Sequence, residues 1–172
     1  METLCHDESR LSAFDPQFEA ADIVGECGLD KCCRTLWELQ MRAFEWQLDI
    51  AERLDKPVVI HCVRAFNELV ELRKRHHRTL WVVHGFTGSI QLCRQLLNCN
   101  IEVSFGAAIL DPRRSKIRET LAAVDPARFF LETDDSGADI ADVYRTAAEL
   151  QRSSENQLRE AISTHYHTLF GI

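Results

Sequence analysis

The feature that most constrains the fold is a regular alternation of short apolar runs with helical stretches along the 172 residues. Five runs rich in Val, Ile and Phe are predicted strands, at residues 22–26, 57–61, 80–84, 101–105 and 128–132. The middle three are almost continuously apolar, which is typical of strands covered on both faces. Strand and helix alternating at this spacing predict right-handed β-α-β units and a parallel sheet.

Helical spacing fills the segments between the apolar runs. Apolar side chains at intervals of three and four predict helices over residues 36–54, 66–72, 90–97, 115–124, 140–150 and 155–170. The first 20 residues contain no strand-like run and indicate a helix or a loop with a turn at Asp15-Pro16. Because no linker or repeat interrupts the chain, we expect a single domain over residues 1–172, with residues 1–20 matching the pattern poorly.

Charge and composition restrict the classes of function. With 20 basic against 27 acidic residues the net charge is −7, which argues against a nucleic-acid binder that relies on a broad basic surface. The basic run at residues 73–78 falls at a helix end, so we assign it to the helix dipole and place its histidines at the surface. No apolar run approaches the roughly 18 residues that cross a membrane, and no signal peptide is evident, so we expect a cytoplasmic protein without membrane contact.

Polar side chains that bind metals stand at the ends of four predicted strands. In parallel α/β folds, sites are built at the carboxyl ends of the strands. Each of these residues, taken alone, more often has a structural role. Their occurrence together at one edge of the sheet favours a metal site. Two histidines with two to four carboxylates suit zinc, manganese or a similar divalent ion. The residues are Glu26, Asp30, His61, His84, Glu132 and Asp134.

Six motifs in order carry a family resemblance. They are V-G-E-C-G-L-D at 24–30, Q-x-x-x-F-x-x-Q-L-x-x-A at 40–51, K-P-V-V-I-H-C at 56–62, V-V-H-G-F-T-G-S at 82–89, S-F-G at 104–106 and L-E-T-D at 131–134. Together they resemble the TatD family of metal-dependent deoxyribonucleases, which are amidohydrolase-like TIM barrels. The resemblance covers residues 20–172 and implies a TIM-barrel type α/β fold. Five βα units of the usual eight are recognisable, so the barrel is expected to be incomplete.

The resemblance also implies a site with divalent metal ions, two in the family, of zinc, magnesium or manganese. Glu26 would bridge the two metals, and His61 and His84 would hold one of them. Asp134 would bind the other and take a proton from the attacking water. Asp30 would orient a ligand histidine or its loop from behind. Two cations in such a site activate water and neutralise charge on a phosphate.

Three arginines are candidates for contacting the substrate phosphate. Arg113 and Arg114 follow the fourth predicted strand on the side where a substrate would lie, and a solvated helix start is the alternative interpretation. The family commonly has an Arg two residues after the histidine of the second strand. Here Val63 occupies that position and Arg64 follows it.

The chain lacks a motif with which the family begins. The family's opening strand carries H-x-H, but no H-x-H precedes Glu26, and His6 is the only histidine there. The chain therefore corresponds to the last five strands of eight, and only one metal position keeps its expected ligands. Three explanations stay open. We favour a start at an internal Met of a longer protein; the others are a homodimer or partner chain that covers the open sheet edges, and a remnant without catalysis.

The sequence thus predicts metal-dependent hydrolysis of phosphodiester bonds, with DNA as the first candidate substrate. One alternative is a catalytically silent scaffold that binds one metal or a partner chain. Another is a different amidohydrolase-like reaction, because fold and metal ligands do not fix the substrate.

Overall fold

A computed structural model describes the backbone of residues 15–170. Its strands are β1 (Val24–Asp30), β2 (Val58–Val63), β3 (Trp81–Val83), β4 (Ile101–Phe105) and β5 (Phe129–Leu131). Its α-helices are α1 (Asp15–Ala20), α2 (Trp37–Leu54), α3 (Phe66–Arg75), α4 (Ile90–Asn98), α5 (Ser115–Ala123), α6 (Ile140–Gln151) and α7 (Glu155–Phe170). The five described strands form one open sheet in the order β1-β2-β3-β4-β5. The predicted α/β fold with five strand–helix units is confirmed.

The largest difference from the predicted strand bounds lies in β1. The strand continues beyond Glu26 to Asp30 and pairs in parallel with β2, ending with Asp30 opposite Val63. Gly28 makes this pairing possible, because a Cβ at that position would lie 2.0 Å from the carbonyl oxygen of His61. Gly28 thus marks a close approach of neighbouring backbones.

The N-terminal segment was predicted as a helix or a loop with a turn. Within the described residues it is the short helix α1, which begins at the Asp15-Pro16 step. Proline suits the first turn of a helix because its missing N–H would have no partner there. Lys56 Nζ binds the last carbonyls of this segment, at 2.6 Å from those of Phe18 and Glu19.

The chain divides into two compact units, Met1–Trp81 and Val82–Ile172, called here the first and second units. The core of the first unit lies between β1, β2 and α2, where Phe44, Leu48, Val58 and Ile60 are buried. Trp81 joins this core with its ring centroid 6.1 Å from that of Phe44. The expectation of one domain over residues 1–172 stays a prediction.

The basic run at residues 73–78 matches the sequence prediction only in part: Arg73, Lys74 and Arg75 lie in the last turn of α3, but two residues of the run are buried. Arg73 is buried, and its Nη1 donates hydrogen bonds to the carbonyls of His76 (3.2 Å) and Thr79 (2.7 Å). Its guanidinium lies 5.0 Å from the ring centroid of Trp81. His76 is buried as well, so the expectation that it lies at the surface was wrong. Arg73 therefore caps the turn into β3 from inside.

The core of the second unit is aromatic. Phe105 lies edge-to-face with Phe86 and with Phe129, at centroid separations of 5.9 and 5.4 Å. β4 and β5 pair in parallel, with Val103 opposite Phe129. These contacts fix the ends of β4 and β5, from which Glu132 and the residues after it project. No helix in the described range is both long and apolar enough to cross a membrane.

Candidate active site

In the first unit, His61 lies between two carboxylates of the neighbouring strand. It pairs in register with Gly28, midway along the sequence between Glu26 and Asp30. Its Nδ1 is 3.2 Å from Glu26 Oε1, and its Nε2 is 3.7 Å from Asp30 Oδ2. The side chain of Glu26 is half exposed, whereas that of Asp30 is largely covered. This part of the site thus offers one open carboxylate next to an oriented imidazole.

Asp30 is fixed in place by the start of α2. Gln40 Oε1 accepts a hydrogen bond from the Asp30 backbone N–H (2.7 Å), and Gln40 Nε2 donates to the Asp30 carbonyl (3.0 Å). Asp30 Oδ1 accepts from the N–H of Cys32 at 2.6 Å. Gln40 begins the second of the six motifs, but sequence analysis assigned no role to it. The structure supplies one, because Gln40 holds the end of β1.

In the second unit, His84 follows β3 and faces two carboxylates that follow β5. Its Nδ1 is 3.8 Å from Glu132 Oε1 and 3.9 Å from Asp134 Oδ2. The His84 side chain is largely buried, whereas the Asp134 side chain is about half exposed. Asp134 adopts a left-handed backbone conformation with φ of 47°. The buried imidazole is thus held from one side, and the exposed carboxylate remains open to solvent.

Glu132 is a site residue to which sequence reasoning gave no role of its own. Its Oε1 accepts a hydrogen bond from the Gly85 N–H (2.6 Å), and its own N–H donates to the Phe105 carbonyl (3.1 Å). Burial raises the pKa of Glu132, but interactions with His84 and the Gly85 amide lower it more, so the pKa lies below its ordinary value. Glu132 therefore remains a carboxylate near neutral pH and can orient the imidazole of His84.

The three arginines proposed to contact phosphate are exposed. Arg113 forms a two-point ion pair with Asp111, with Nε–Oδ1 at 2.9 Å and Nη2–Oδ2 at 3.0 Å. Hydrogen bonds from the Arg113 side chain and backbone lower the pKa of Asp111 to about 2. Arg114 precedes α5, and Arg64 occupies a left-handed position after β2. Their role with a substrate stays a prediction.

Each unit holds candidate cation ligands of its own. The first unit provides Glu26 and His61, and the second provides His84 with Asp134 beside it. Carboxylates and imidazoles are ligands that zinc and manganese accept readily.

Comparison with known proteins identifies the family. The sequence model described as TatD related DNase matches residues 5–171. The chain belongs to this family. The TatD match starts nearer the N-terminus than the six motifs do, and it confirms the resemblance that those motifs carry.

Curated relatives are longer than the chain. An uncharacterized metal-dependent hydrolase of Escherichia coli, YjjV, is 32% identical over 165 residues, covering 87% of this chain and 63% of YjjV. The human 3'-5' RNA nuclease TATDN2 is 37% identical over 64% of this chain and 15% of its own length. A 3'-5' ssDNA/RNA exonuclease TatD of Klebsiella pneumoniae is 35% identical over 71% of this chain and 47% of its own. The chain thus spans less than two thirds of these relatives.

Solved structures support the fold. The crystal structure of the E. coli TatD homologue YjjV superposes with a TM-score of 0.87 at 30% identity, covering 97% of this chain and 72% of that one. A TatD family hydrolase from Entamoeba histolytica has a TM-score of 0.78 at 14% identity, covering 94% of this chain and 67% of that one. The second likeness concerns the fold alone. The TIM-barrel type α/β assignment is therefore confirmed.

Proposed function

We propose that the chain carries the metal-binding part of a hydrolase that cleaves phosphodiester bonds in nucleic acid, with DNA as the first candidate. The observation that carries the proposal is the pair of Glu26 and His61 in the first unit, where Glu26 Oε1 lies 3.2 Å from His61 Nδ1. TatD family membership and the names of the relatives, metal-dependent hydrolases and nucleases among them, support it.

The donor set fits a divalent cation. Neutral imidazole nitrogens and an open carboxylate are ordinary ligands of zinc and manganese, and they suit magnesium less well. When bound, such a cation lowers the pKa of water and offsets the charge of a phosphodiester. For the second metal position of the family, this chain would supply the ligands Glu26 and Asp134. We therefore expect one tightly held cation.

The remaining residues orient the ligands and move the proton. Asp30 would hold the Nε2 side of His61, and Glu132 would hold the Nδ1 side of His84. Asp134, half exposed beside His84, would accept the proton of the attacking water at a carboxylate oxygen. Arg64, Arg113 and Arg114 would supply positive charge for the phosphate, Arg113 after release from Asp111.

A silent scaffold is the second candidate function. The described strands form an open sheet that leaves β1 and β5 at its edges, and exposed edges invite pairing with another chain. A homodimer or a partner chain at these edges remains a proposal, as does a cytoplasmic location. Metal binding without hydrolysis would favour this function over the first.

Removal of the metal is expected to abolish hydrolysis. The purified chain should cleave bis(p-nitrophenyl) phosphate and a labelled single-stranded oligonucleotide, and EDTA should stop both reactions until Mn²⁺ or Zn²⁺ is returned. His84→Ala should lose the activity, because it removes a ligand of the cation. His77→Ala replaces an exposed histidine outside the site and serves as the control. Hydrolysis that survives chelation, or equal losses in both variants, would overturn the proposal.

A further inference from the structure

The first unit contains a cavity that the metal ligands do not use. Its volume is about 270 Å³. It lies at the turn from β1 into α2, so one short stretch of chain provides nearly all of its wall. The lining residues are Asp30, Lys31, Cys33, Thr35, Trp37 and Gln40.

The wall of this cavity is held by one side chain. Gln40 binds both backbone groups of Asp30, as described above, and its Nε2 also donates to the Thr35 carbonyl (2.9 Å) and to Cys33 Sγ (3.2 Å). The loop that forms the cavity is therefore fixed before any ligand arrives. A preformed site loses less entropy when it binds a ligand.

Asp30 connects the cavity to the candidate active site. Its carboxylate lies 3.7 Å from His61 Nε2, while the same residue lines the cavity. The cavity therefore borders the residue that faces His61, one of the proposed metal ligands.

The side chains around the cavity combine an aromatic face with a positive charge. Lys31 Nζ lies 5.3 Å from the centroid of the Trp37 ring and is held there by an ion pair with Glu68 at 2.5 Å. Leu36, next to Trp37 in sequence, is 66% exposed. Aromatic rings next to basic side chains are how proteins bind single-stranded nucleic acid, since bases stack on the ring and phosphates face the cation.

We propose that this cavity is a subsite for one unpaired nucleobase of the substrate strand, stacked on Trp37, with Lys31 facing the adjoining phosphate. The proposal rests on the phosphodiesterase function proposed above and names a recognition element of that site. The volume of about 270 Å³ lies near the lower end of the range for small-ligand pockets, which suits a single base.

The test compares a substrate that has bases with one that has none. Trp37→Ala should lower kcat/KM for a single-stranded oligonucleotide by a factor at least about five times larger than its effect on bis(p-nitrophenyl) phosphate. The extra loss for the oligonucleotide should appear as an increase in KM. Trp37→Phe keeps an aromatic face and should restore most of the difference. Trp37→Leu takes the place of the alanine variant if that variant does not fold. Equal effects of Trp37→Ala on both substrates would overturn the subsite.

A binding measurement separates the subsite from the catalytic proposal. Deoxyadenosine 5'-monophosphate should quench the tryptophan fluorescence of the chain, whereas inorganic phosphate should not. The quench should be lost in Trp37→Phe and kept in Trp46→Phe, because Trp46 packs against Phe18 away from the cavity. If neither substrate is hydrolysed, the proposed function fails and the titration alone decides: a Trp37-dependent quench supports the subsite, and no quench refutes it.

Discussion

Replacement of Asp134 by asparagine is expected to lower the turnover number for phosphodiester hydrolysis by about 10²- to 10⁴-fold, the contribution typical of a positioned general base. The amide has nearly the same shape as the carboxylate, but it cannot accept a proton from water. Asparagine also tolerates the left-handed backbone that Asp134 adopts, so the fold should be preserved.

The measurement is kcat for bis(p-nitrophenyl) phosphate at saturating metal, with circular dichroism to check the fold. Asp135→Asn is the matched control, because Asp135 is an exposed carboxylate at the adjacent position. Full turnover in the Asp134 variant would remove this residue from the proposed chemistry. An equal loss in the control would assign the effect to the loop as a whole.

Replacement of Phe105 by alanine is expected to reduce the free energy of unfolding by about 3–5 kcal/mol. Phe105 is fully buried and packs edge-to-face against two other rings, so alanine leaves a cavity that rigid neighbours cannot fill. The Phe105 carbonyl also accepts the N–H of Glu132, so the same change should loosen the carboxylate that faces His84. A loss of this size is a large share of the stability of an ordinary domain.

Urea unfolding followed by tryptophan fluorescence and circular dichroism measures this loss. Ile140→Ala is the control, since Ile140 is an apolar side chain that is 43% exposed and its truncation should change stability by no more than about 0.5 kcal/mol. Equal effects of the two variants would contradict the packing described for the second unit.

The sequence predicted the elements of the fold well because apolar periodicity reports burial. The predicted helix over residues 140–150 differs from α6 by one residue, and the strand at 101–105 is observed as β4. The end of β1 was missed because the apolar run stops at Glu26, whereas the strand continues to Asp30. Only the structure shows that the His61 carbonyl approaches Gly28 too closely for any side chain.

The candidate site was predicted in part. The positions of Glu26, His61 and His84 after or within strands were visible, since motifs and strand ends are sequence properties. The contacts that support the structure around them were not visible. They are the hydrogen bonds of Gln40 with Asp30, of Glu132 with Gly85, and of buried Arg73 with the turn before β3. Each contact joins residues that only tertiary packing brings together. The charged residues around His76 even suggested a surface position for it, whereas the structure buries this histidine.

The most direct test of the account is the metal content of the chain and of two variants. Native mass spectrometry of the wild-type chain should find about one tightly bound divalent cation. His61→Ala and His84→Ala should each lose most of it, because each removes one of three ligands, while His77→Ala should keep it. Unchanged metal content in both the His61 and the His84 variant would contradict the proposed site.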